Sequence, residues 1–235
     1  MKPLAVVTGG TKGIGRALVE RFVRGGFDVV TCARHEQDLA ALQKDIAHSG
    51  SGQVLCQQAD LSLRSDLDNF ITFVNSLDRP VNVLVNNTGV FMPGQIHNEE
   101  EGVLEKTIET NVYSAYHLTR GLIRNMMEQK KGHIFTMCST ASITAYPNGG
   151  SYCISKFALY GMTKVLREEM KPFGVKVTAI LPGATLTNSW EGTDLPEERF
   201  MKAEDVAETI WGAYHLSAGA VIEDILMRPQ LGDIG

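Results

Sequence analysis

The sequence predicts a doubly wound α/β fold, in which helices flank both faces of a parallel sheet of seven strands. Short runs rich in Val and Ile alternate along the chain with longer stretches in which apolar residues recur at helical spacing. The short runs lack a regular apolar–polar alternation, which indicates strands buried on both faces. No internal repeat, low-complexity segment or long linker divides the 235 residues, so we expect one domain over residues 1–235.

Strand and helix alternate from one end of the sequence to the other. The expected strands cover residues 4–8, 28–32, 53–57, 81–86, 133–137, 175–181 and 221–227. The expected helices cover residues 14–25, 37–49, 62–76, 103–130, 151–171 and 203–216. Because one helix separates each strand from the next, we expect crossover connections and hence parallel strands.

The charge balance excludes some classes of partner. Twenty-two Lys and Arg residues stand against 27 Asp and Glu residues, a formal net charge of −5. Nucleic acids and anionic membranes need a positive field, so we expect neither as a partner. The apolar runs are too short to span a bilayer, and no signal-peptide stretch precedes Thr8, so we expect a cytoplasmic protein. The cysteines, which form no Cys-x-x-Cys pair and have no nearby metal-ligand histidine, predict reduced thiols and no metal site: Cys32, Cys56, Cys138 and Cys153.

A glycine-rich turn, Thr8-Gly9-Gly10-Thr11-Lys12-Gly13-Ile14-Gly15, joins the first strand to the first helix. Glycines at positions 9, 13 and 15 permit a tight turn and a close backbone approach to a pyrophosphate at the helix N-terminus. Their spacing is neither Gly-x-Gly-x-x-Gly nor that of a P-loop. Such a turn can also serve only to pack a helix on a strand, but its position in a strand–helix–strand unit favours dinucleotide binding.

The end of the second strand bears on which dinucleotide is bound. A carboxylate there binds the ribose of NAD, whereas a nearby Arg accommodates the 2′-phosphate of NADP. Ala33 occupies the expected carboxylate position, Arg34 follows it, and Lys12 can approach the same phosphate. Both cations are also compatible with a solvated surface. Two cations and a missing carboxylate favour NADP(H) over NAD(H).

Tyr152 and Lys156 stand four residues apart on the fifth expected helix, and Ser139 follows the fifth strand. At this spacing the two side chains leave the same helix face, where an ammonium can stabilise the phenolate. Tyr160 and Lys164 repeat the spacing, but lie about 12 Å further along the axis, away from the strand ends where ligands bind. We therefore predict packing and surface roles for this second pair.

Together these motifs resemble the short-chain dehydrogenase/reductase family over nearly the whole chain, which implies a Rossmann-like fold and an NADP(H)-dependent carbonyl reductase. Thr88 stands where the family's Asn-Asn-Ala-Gly has Ala. The residues that carry the resemblance, in chain order, are Thr8-Gly9-x3-Gly13-Ile14-Gly15, Asp60, Asn86-Asn87-Thr88-Gly89, Asn111, Ser139, Tyr152-x3-Lys156 and Pro182-Gly183-x3-Thr187.

The resemblance implies that Tyr152 is the general acid in carbonyl reduction and the base in alcohol oxidation. It implies that Ser139 polarises the carbonyl, that Lys156 binds the nicotinamide ribose, and that Asn111 holds a water linking Lys156 to solvent. Dinucleotide binding falls mainly on residues 1–90, and catalysis mainly on 105–205. The implied cofactor contacts, besides Tyr152 and Lys156, are Gly9, Thr11, Lys12, Gly13, Ile14, Gly15, Arg34, Asp60, Leu61, Asn87, Gly89, Pro182, Gly183, Thr185 and Thr187.

Some of these residues have alternative structural roles. Asp60 fits an adenine contact and a cap of the following helix equally well. Trp190, in the short 184–202 segment expected to cover the substrate, fits a hydrophobic cover and ordinary packing equally well. The helices over 103–130 and 151–171 are expected to pair between subunits of a homodimer or homotetramer.

The 184–202 segment and the start of the last helix are acidic, which disfavours anionic acyl-carrier-protein or coenzyme A substrates. We therefore favour a small ketone, aldehyde, keto-acid derivative or pterin-like carbonyl. The remaining alternatives are a 3-oxoacyl-[acyl-carrier-protein] reductase and a non-catalytic NADP-binding redox sensor. The charged residues concerned are Glu191, Asp194, Glu197, Glu198, Glu204 and Asp205 against Arg199 and Lys202.

Overall fold

Seven parallel strands form one sheet in the computed structural model, which describes residues 1–47, 52–187, 190 and 192–234. The strands are β1 Leu4–Thr8, β2 Asp28–Ala33, β3 Val54–Gln58, β4 Val81–Asn86, β5 Gly132–Met137, β6 Val175–Pro182 and β7 Asp224–Met227. Their order is β3-β2-β1-β4-β5-β6-β7. The order reverses between β1 and β4, where the carboxyl ends of the strands form a crevice suited to a ligand.

Helices cover both faces of the sheet, as the sequence predicts. They are α1 Gly13–Arg24, α2 Glu36–Ile46, α3 Arg64–Ser76, α4 Val103–Ile108, α5 Ser114–Gln129, α6 Gly150–Met170 and α7 Ala203–Tyr214. The predicted end of the second helix, Ser49, lies outside the described residues. None of the described helices combines the length and apolarity needed to cross a bilayer.

Alternate residues of β1 divide between two apolar cores. Ala5 and Val7 pack in the core that includes residues of α1 and α7. Leu4 and Val6 pack in the core on the other face, with residues of α3 and α5. All four side chains are fully buried. Burial on both faces explains why this strand is a continuous apolar run.

The long helix expected over 103–130 is interrupted, which corrects the prediction. Between α4 and α5 the chain forms a π-helical turn over Glu109–Tyr113, and the amide of Ser114 donates to the carbonyl of Glu109. Apolar periodicity does not predict this turn, because a single wider turn adds only one residue to the helical pattern. The turn contains Asn111, so the interruption falls on a predicted site residue.

Two other elements begin two or three residues later than predicted. Helix α3 starts at Arg64 rather than at 62, because Asp60 Oδ1 accepts hydrogen bonds from the Ser62 amide at 3.0 Å and the Ser62 hydroxyl at 2.7 Å. This local turn competes with helical hydrogen bonding. Strand β7 starts at Asp224 rather than at 221, and the carbonyl of Ile222 instead accepts from Thr178 Oγ1 at 2.6 Å.

Candidate active site

The glycine turn after β1 has the tight geometry that the sequence predicts. Gly9 and Gly13 have φ values of +65° and +52°, in the left-handed region that favours glycine. A Cβ atom on Gly15 would lie 2.1 Å from the Gly9 carbonyl oxygen. Thr11 is half-buried beside the turn, while Ile14 packs partly buried against the α1 core. The missing side chains of the glycines therefore allow the turn to fold tightly against the start of α1.

The end of β4 is tied to this turn. Thr8 Oγ1 accepts hydrogen bonds from the amides of Asn87 and Thr88, each at 2.9 Å. The side chain of Asn87 donates to the Thr8 carbonyl at 2.8 Å. These contacts hold the Asn-Asn-Thr-Gly segment against the glycine turn across the point where the strand order reverses. The predicted residues Gly9 and Asn87 thus lie together in the structure.

The two predicted phosphate-binding cations have different surroundings. Arg34 is exposed, directly after β2. Lys12 Nζ lies 3.2 Å from Asp38 Oδ2, with both groups substantially exposed. Asp38, in the first turn of α2, is a partner that sequence reasoning missed. Exposed ion pairs of this kind contribute little to stability, so this one can open when an anion competes for the lysine.

Asp60 and Leu61 follow β3 at the same edge of the sheet. The Asp60 carboxylate stabilises the turn before α3 through Ser62, and its amide donates to Asp66 Oδ2 at 3.0 Å. Leu61 is buried in the core with residues of α3 and α5. The capping alternative is thus close to the observed role of Asp60, although Leu63 is the residue at the N-cap.

Lys156 reaches from α6 to the carboxyl end of β5. Its Nζ atom donates to the carbonyl of Met137 at 2.8 Å, and the side chain is 5% exposed. The same nitrogen lies 5.7 Å from the centroid of the Tyr152 ring. Ser139 follows two residues after Met137, and its Oγ accepts from the Ala141 amide at 3.1 Å. That contact uses the oxygen as an acceptor, so the hydroxyl hydrogen can still donate to a substrate.

Asn111 is fully buried beside Gly89. Its Oδ1 accepts from the amide of Val90 at 2.7 Å, and its Nδ2 donates to the Val90 carbonyl at 3.0 Å and to Ser155 Oγ at 2.9 Å. A Cβ atom on Gly89 would lie 3.3 Å from Asn111 Oδ1 and 3.5 Å from Lys156 Nζ. The predicted residues Gly89, Asn111 and Lys156 therefore meet at one point.

The segment after β6 folds back over the glycine turn. The Gly183 amide, directly after Pro182, donates to the Met227 carbonyl at 2.8 Å, and the buried Thr185 donates through Oγ1 to the Gly183 carbonyl at 3.1 Å. Thr187 Cγ2 lies 2.9 Å from the position that a Cβ atom on Gly13 would take. This contact brings the predicted carboxamide-binding segment to the predicted pyrophosphate turn.

The second tyrosine–lysine pair lies elsewhere. Tyr160 Oη donates to Asp224 Oδ2 at 2.8 Å, at the start of β7, and Lys164 Nζ lies 4.3 Å from the Tyr160 ring centroid. The pKa of the Tyr160 hydroxyl is raised, first by desolvation and then by the hydrogen bond to Asp224 and the negative charge of that carboxylate. These contacts give the pair a packing role at the β7 edge.

Sequence reasoning missed two aromatic neighbours of Tyr152, namely Phe91 and Tyr146. The Phe91 ring lies 4.9 Å from the Tyr152 ring, edge to face at 81°, and remains 46% exposed. Tyr146 is also exposed, and burial of its hydroxyl together with the neighbouring Tyr152 raises its pKa. Trp190 packs against Phe200, with ring centroids 4.9 Å apart. The sequence signal that could have identified Phe91 is its position, two residues after the Asn-Asn-Thr-Gly motif.

The cysteines are free thiols. Cys138, directly before Ser139, is buried, and burial raises its pKa to about 11. Cys153, directly after Tyr152, is buried as well. Within the described ranges, no three His, Cys, Asp or Glu side chains are grouped to hold a metal ion. The groups that the site brings together are therefore the Ser139 hydroxyl, the Tyr152 phenol and the Lys156 ammonium.

Comparisons with known proteins agree with this geometry. A family model described as short chain dehydrogenase matches residues 3–197. A sepiapterin reductase of Chlorobaculum tepidum is 31% identical over 242 residues, covering 100% of this chain and 99% of that protein. The 3beta-hydroxysteroid dehydrogenase 2 of Eggerthella lenta is 32% identical, covering 84% and 76%. The crystal structure of a metagenomic short-chain oxidoreductase in complex with NADP is 28% identical, with a TM-score of 0.85 and 97% of each chain covered.

Proposed function

The chain belongs to the short-chain dehydrogenase family and is an oxidoreductase, and we propose that it transfers hydride between NADP(H) and a small carbonyl or alcohol substrate. One observation carries the proposal. Lys156 Nζ is buried at the end of β5 and lies beside the Tyr152 ring. Its hydrogen-bond acceptor, the carbonyl of Met137, stands two residues before Ser139 in the sequence. Burial of an ammonium group is costly, and catalytic and ligand-binding sites are where this cost is commonly met.

The described residues fit a nicotinamide dinucleotide. Lys12, the N-cap of α1, makes no side-chain capping hydrogen bond, so amides of the first turn can donate to a pyrophosphate. The contact with Met137 uses one of the three hydrogens of the Lys156 ammonium. Ribose hydroxyls are suitable acceptors for the others. We therefore assign Lys156 to the nicotinamide ribose, with Thr185 and Thr187 beside the nicotinamide.

The preference for NADP(H) rests on charge. Arg34 is exposed next to Ala33, where a carboxylate would repel a 2′-phosphate. Lys12 forms an exposed ion pair with Asp38, which an anion can displace. The metagenomic relative of known structure binds NADP. We therefore assign the 2′-phosphate to Arg34 and Lys12, and the adenine side to Asp60, Leu61, Asn87 and Gly89.

The chemistry follows from three side chains. Tyr152 donates its phenolic proton to the carbonyl oxygen during reduction and accepts a proton during alcohol oxidation. The Lys156 ammonium stabilises the phenolate that remains, and the Ser139 hydroxyl donates a hydrogen bond to the substrate oxygen. A bound nicotinamide supplies or accepts the hydride. The Asn111 side chain already bonds Val90 and Ser155, so we assign the relay water to its backbone and the side chain to holding the loop.

The aromatic surroundings favour a small carbonyl substrate carrying a ring. Phe91 and Tyr146 are both exposed near Tyr152 and provide apolar surface for a planar group. The similarity to a sepiapterin reductase over the full length supports a pterin-like carbonyl. Glu191, one of the acidic residues expected to disfavour anionic thioesters, lies outside the described residues. The others are exposed, namely Asp194, Glu197, Glu198, Glu204 and Asp205.

An oligomer built on α5 and α6 also belongs to this proposal. These helices expose large apolar side chains that a monomer would leave in water. We expect them to pair between two copies of the chain, giving a homodimer or homotetramer. The cytoplasmic location of the protein is a separate prediction. Light scattering of the purified protein measures the mass directly. The exposed residues on the two helices and the preceding turn are Tyr113, Tyr116, Ile154, Phe157 and Val165.

A panel of carbonyl compounds tests the activity. Loss of reduced nicotinamide absorbance is followed with NADPH and with NADH, for sepiapterin, simple aromatic and aliphatic ketones, aldehydes and a 3-oxoacyl thioester. We expect turnover with NADPH on ring-bearing carbonyls above that on the thioester. Preferred turnover of the thioester would identify a 3-oxoacyl reductase instead. Tight NADPH binding without turnover of any carbonyl would favour the redox sensor.

A further inference from the structure

The helix that carries Tyr152 and Lys156 begins without a capping side chain of its own. Its N-cap is Gly149 and its first residue is Gly150, and neither provides a polar side chain for the unpaired amides of the first turn. Glu99, from the segment between β4 and α4, supplies the missing group. Its Oε1 accepts from the Ser151 amide at 2.9 Å, and the Ser151 hydroxyl donates to its Oε2.

The surrounding glycines fit this carboxylate closely. A Cβ atom on Gly150 would lie 2.2 Å from Glu99 Oε1, and one on Gly94 would lie 2.6 Å from Glu99 Cγ. The backbones also pair, since the Gly94 amide donates to the Asn148 carbonyl at 3.0 Å and the Gly150 amide to the Gly94 carbonyl at 3.1 Å. We call Gly94 to Glu99 the clasp segment. Its contacts hold it against the start of α6.

The clasp segment acts next to the reacting group. Ser151, which donates hydrogen bonds to the Glu99 carboxylate, is fully buried and directly precedes Tyr152. Phe91, shortly before the clasp segment, contacts the Tyr152 ring at 4.9 Å. A negative charge at the start of the 21-residue α6 also interacts favourably with the helix dipole. The carboxylate thus holds both the helix that carries Tyr152 and the loop that packs on its ring.

We propose that Glu99 is a positioning residue, which seats the first turn of α6 so that the Tyr152 hydroxyl reaches the substrate oxygen. The inference rests on the proposed function of Tyr152. It concerns the placement of the phenol and not the binding of the cofactor, because the hydrogen bonds described for the clasp segment join it to residues 148–151 at the start of α6. A displacement of about 1 Å at a reacting group can lower a rate about a hundredfold.

Substitution of Glu99 separates positioning from other roles. Glu99→Ala is expected to lower kcat about tenfold to a hundredfold, with the NADPH dissociation constant and the substrate KM within about twofold. Glu99→Gln can still accept from the Ser151 amide and can donate to its hydroxyl, so most of kcat should return. Glu100→Ala is the matched control, since Glu100 is exposed beside it and should leave kcat unchanged.

A second variant approaches the same contact from the other side. Gly150→Ala places a methyl group 2.2 Å from Glu99 Oε1 and 2.9 Å from the Gly94 carbonyl oxygen, so it separates the clasp segment from α6 and is expected to lower thermal stability. The proposal predicts a fall in kcat like that of Glu99→Ala, because the new methyl group displaces the carboxylate, and no further fall in the double variant.

The outcomes distinguish this inference from the proposed function. If Tyr152→Phe is inactive while folded Glu99→Ala keeps the parental kcat, the positioning role is wrong and the proposed function stands. A fall in NADPH affinity equal to the fall in kcat would also overturn the positioning role. If Tyr152→Phe remains active, both the proposed function and the positioning role of Glu99 are wrong.

Discussion

The side-chain amide of Asn111 bonds both backbone polar groups of Val90, accepting from its amide at 2.7 Å and donating to its carbonyl at 3.0 Å. The same Nδ2 reaches Ser155 Oγ at 2.9 Å, and that hydroxyl donates to the Tyr152 carbonyl at 2.8 Å. One buried side chain therefore joins the loop after β4 to the helix that carries the reacting phenol. The π-helical turn places it there, between α4 and α5.

Asn111→Leu should destabilise the protein and lower its activity. The substitution removes three hydrogen bonds and leaves the Val90 amide and carbonyl without their partner, at a cost of about 2–4 kcal/mol. Urea denaturation measures the change. Asn125→Leu, at an exposed position on α5, is the matched control and should stay within about 0.5 kcal/mol of the parent. Equal effects of the two variants would mean that the Val90 contacts contribute nothing.

Tyr152→Phe should lower kcat for carbonyl reduction by about two to four orders of magnitude, because it removes the proton donor. Binding of NADPH, measured by the change in its fluorescence, should remain. Tyr160→Phe is the control, since the Tyr160 hydroxyl bonds to Asp224 at the β7 edge and not to the site. An inactive Tyr160→Phe enzyme beside an active Tyr152→Phe enzyme would mean that the other tyrosine is the acid.

Arg34→Ala should weaken NADPH binding about tenfold to a hundredfold and NADH binding little, because a charge-assisted contact with the 2′-phosphate is lost. Lys12→Ala should have a smaller effect, since Lys12 must first leave Asp38 at 3.2 Å. Dissociation constants for the two cofactors at one salt concentration provide the measurement. Equal losses for NADPH and NADH would contradict the assignment.

Phe91→Ala should change substrate preference more than the chemical step. The exposed Phe91 ring packs edge to face on Tyr152, so its removal takes apolar surface from a ring-bearing substrate. We expect KM for an aromatic ketone to rise about tenfold, and KM for a short aliphatic ketone to change much less. Leu216→Ala, at an exposed position after α7, is the control. A uniform rise for both ketones would argue against a substrate contact.

The buried His133 should make the free energy of unfolding depend on pH. Burial, with a smaller effect of Lys176, lowers the pKa of His133 from 6.5 to about 3, so the folded protein keeps it neutral. Its Nε2 shares a hydrogen bond with Thr178 Oγ1 at 2.8 Å. Below pH 6.5 the unfolded chain binds a proton that the folded chain does not, so stability falls as pH falls towards 3.

The expected slope for this residue is up to about 1.4 kcal/mol per pH unit. Carboxyl groups also titrate in this range, so the measurement is the difference between the parent and His133→Asn in urea denaturation at several pH values. The difference in slope should disappear above pH 6.5. Parallel curves for the two proteins at all pH values would show that His133 is not the group responsible.

The features that the sequence predicts correctly depend on short-range pattern. The glycine turn, the alternation of strands and helices, and the four-residue spacing of Tyr152 and Lys156 are set by backbone sterics and by helical and strand periodicity. Even the packing role of Tyr160 follows from its depth along the helix. These features need only neighbouring residues for their explanation, and so they are visible before any folding of the chain is known.

The tertiary structure alone decides the contacts between distant segments. Glu99 meets Ser151 across 52 positions, and Asn111 meets Val90 through a π-helical turn that apolar periodicity does not distinguish from a continuous helix. Lys12 likewise finds Asp38 only because α2 begins beside the glycine turn. The physical reason is that the hydrogen-bond partner of a polar side chain depends on which segments the loops bring together. The path of the loops in turn depends on the packing of the whole sheet.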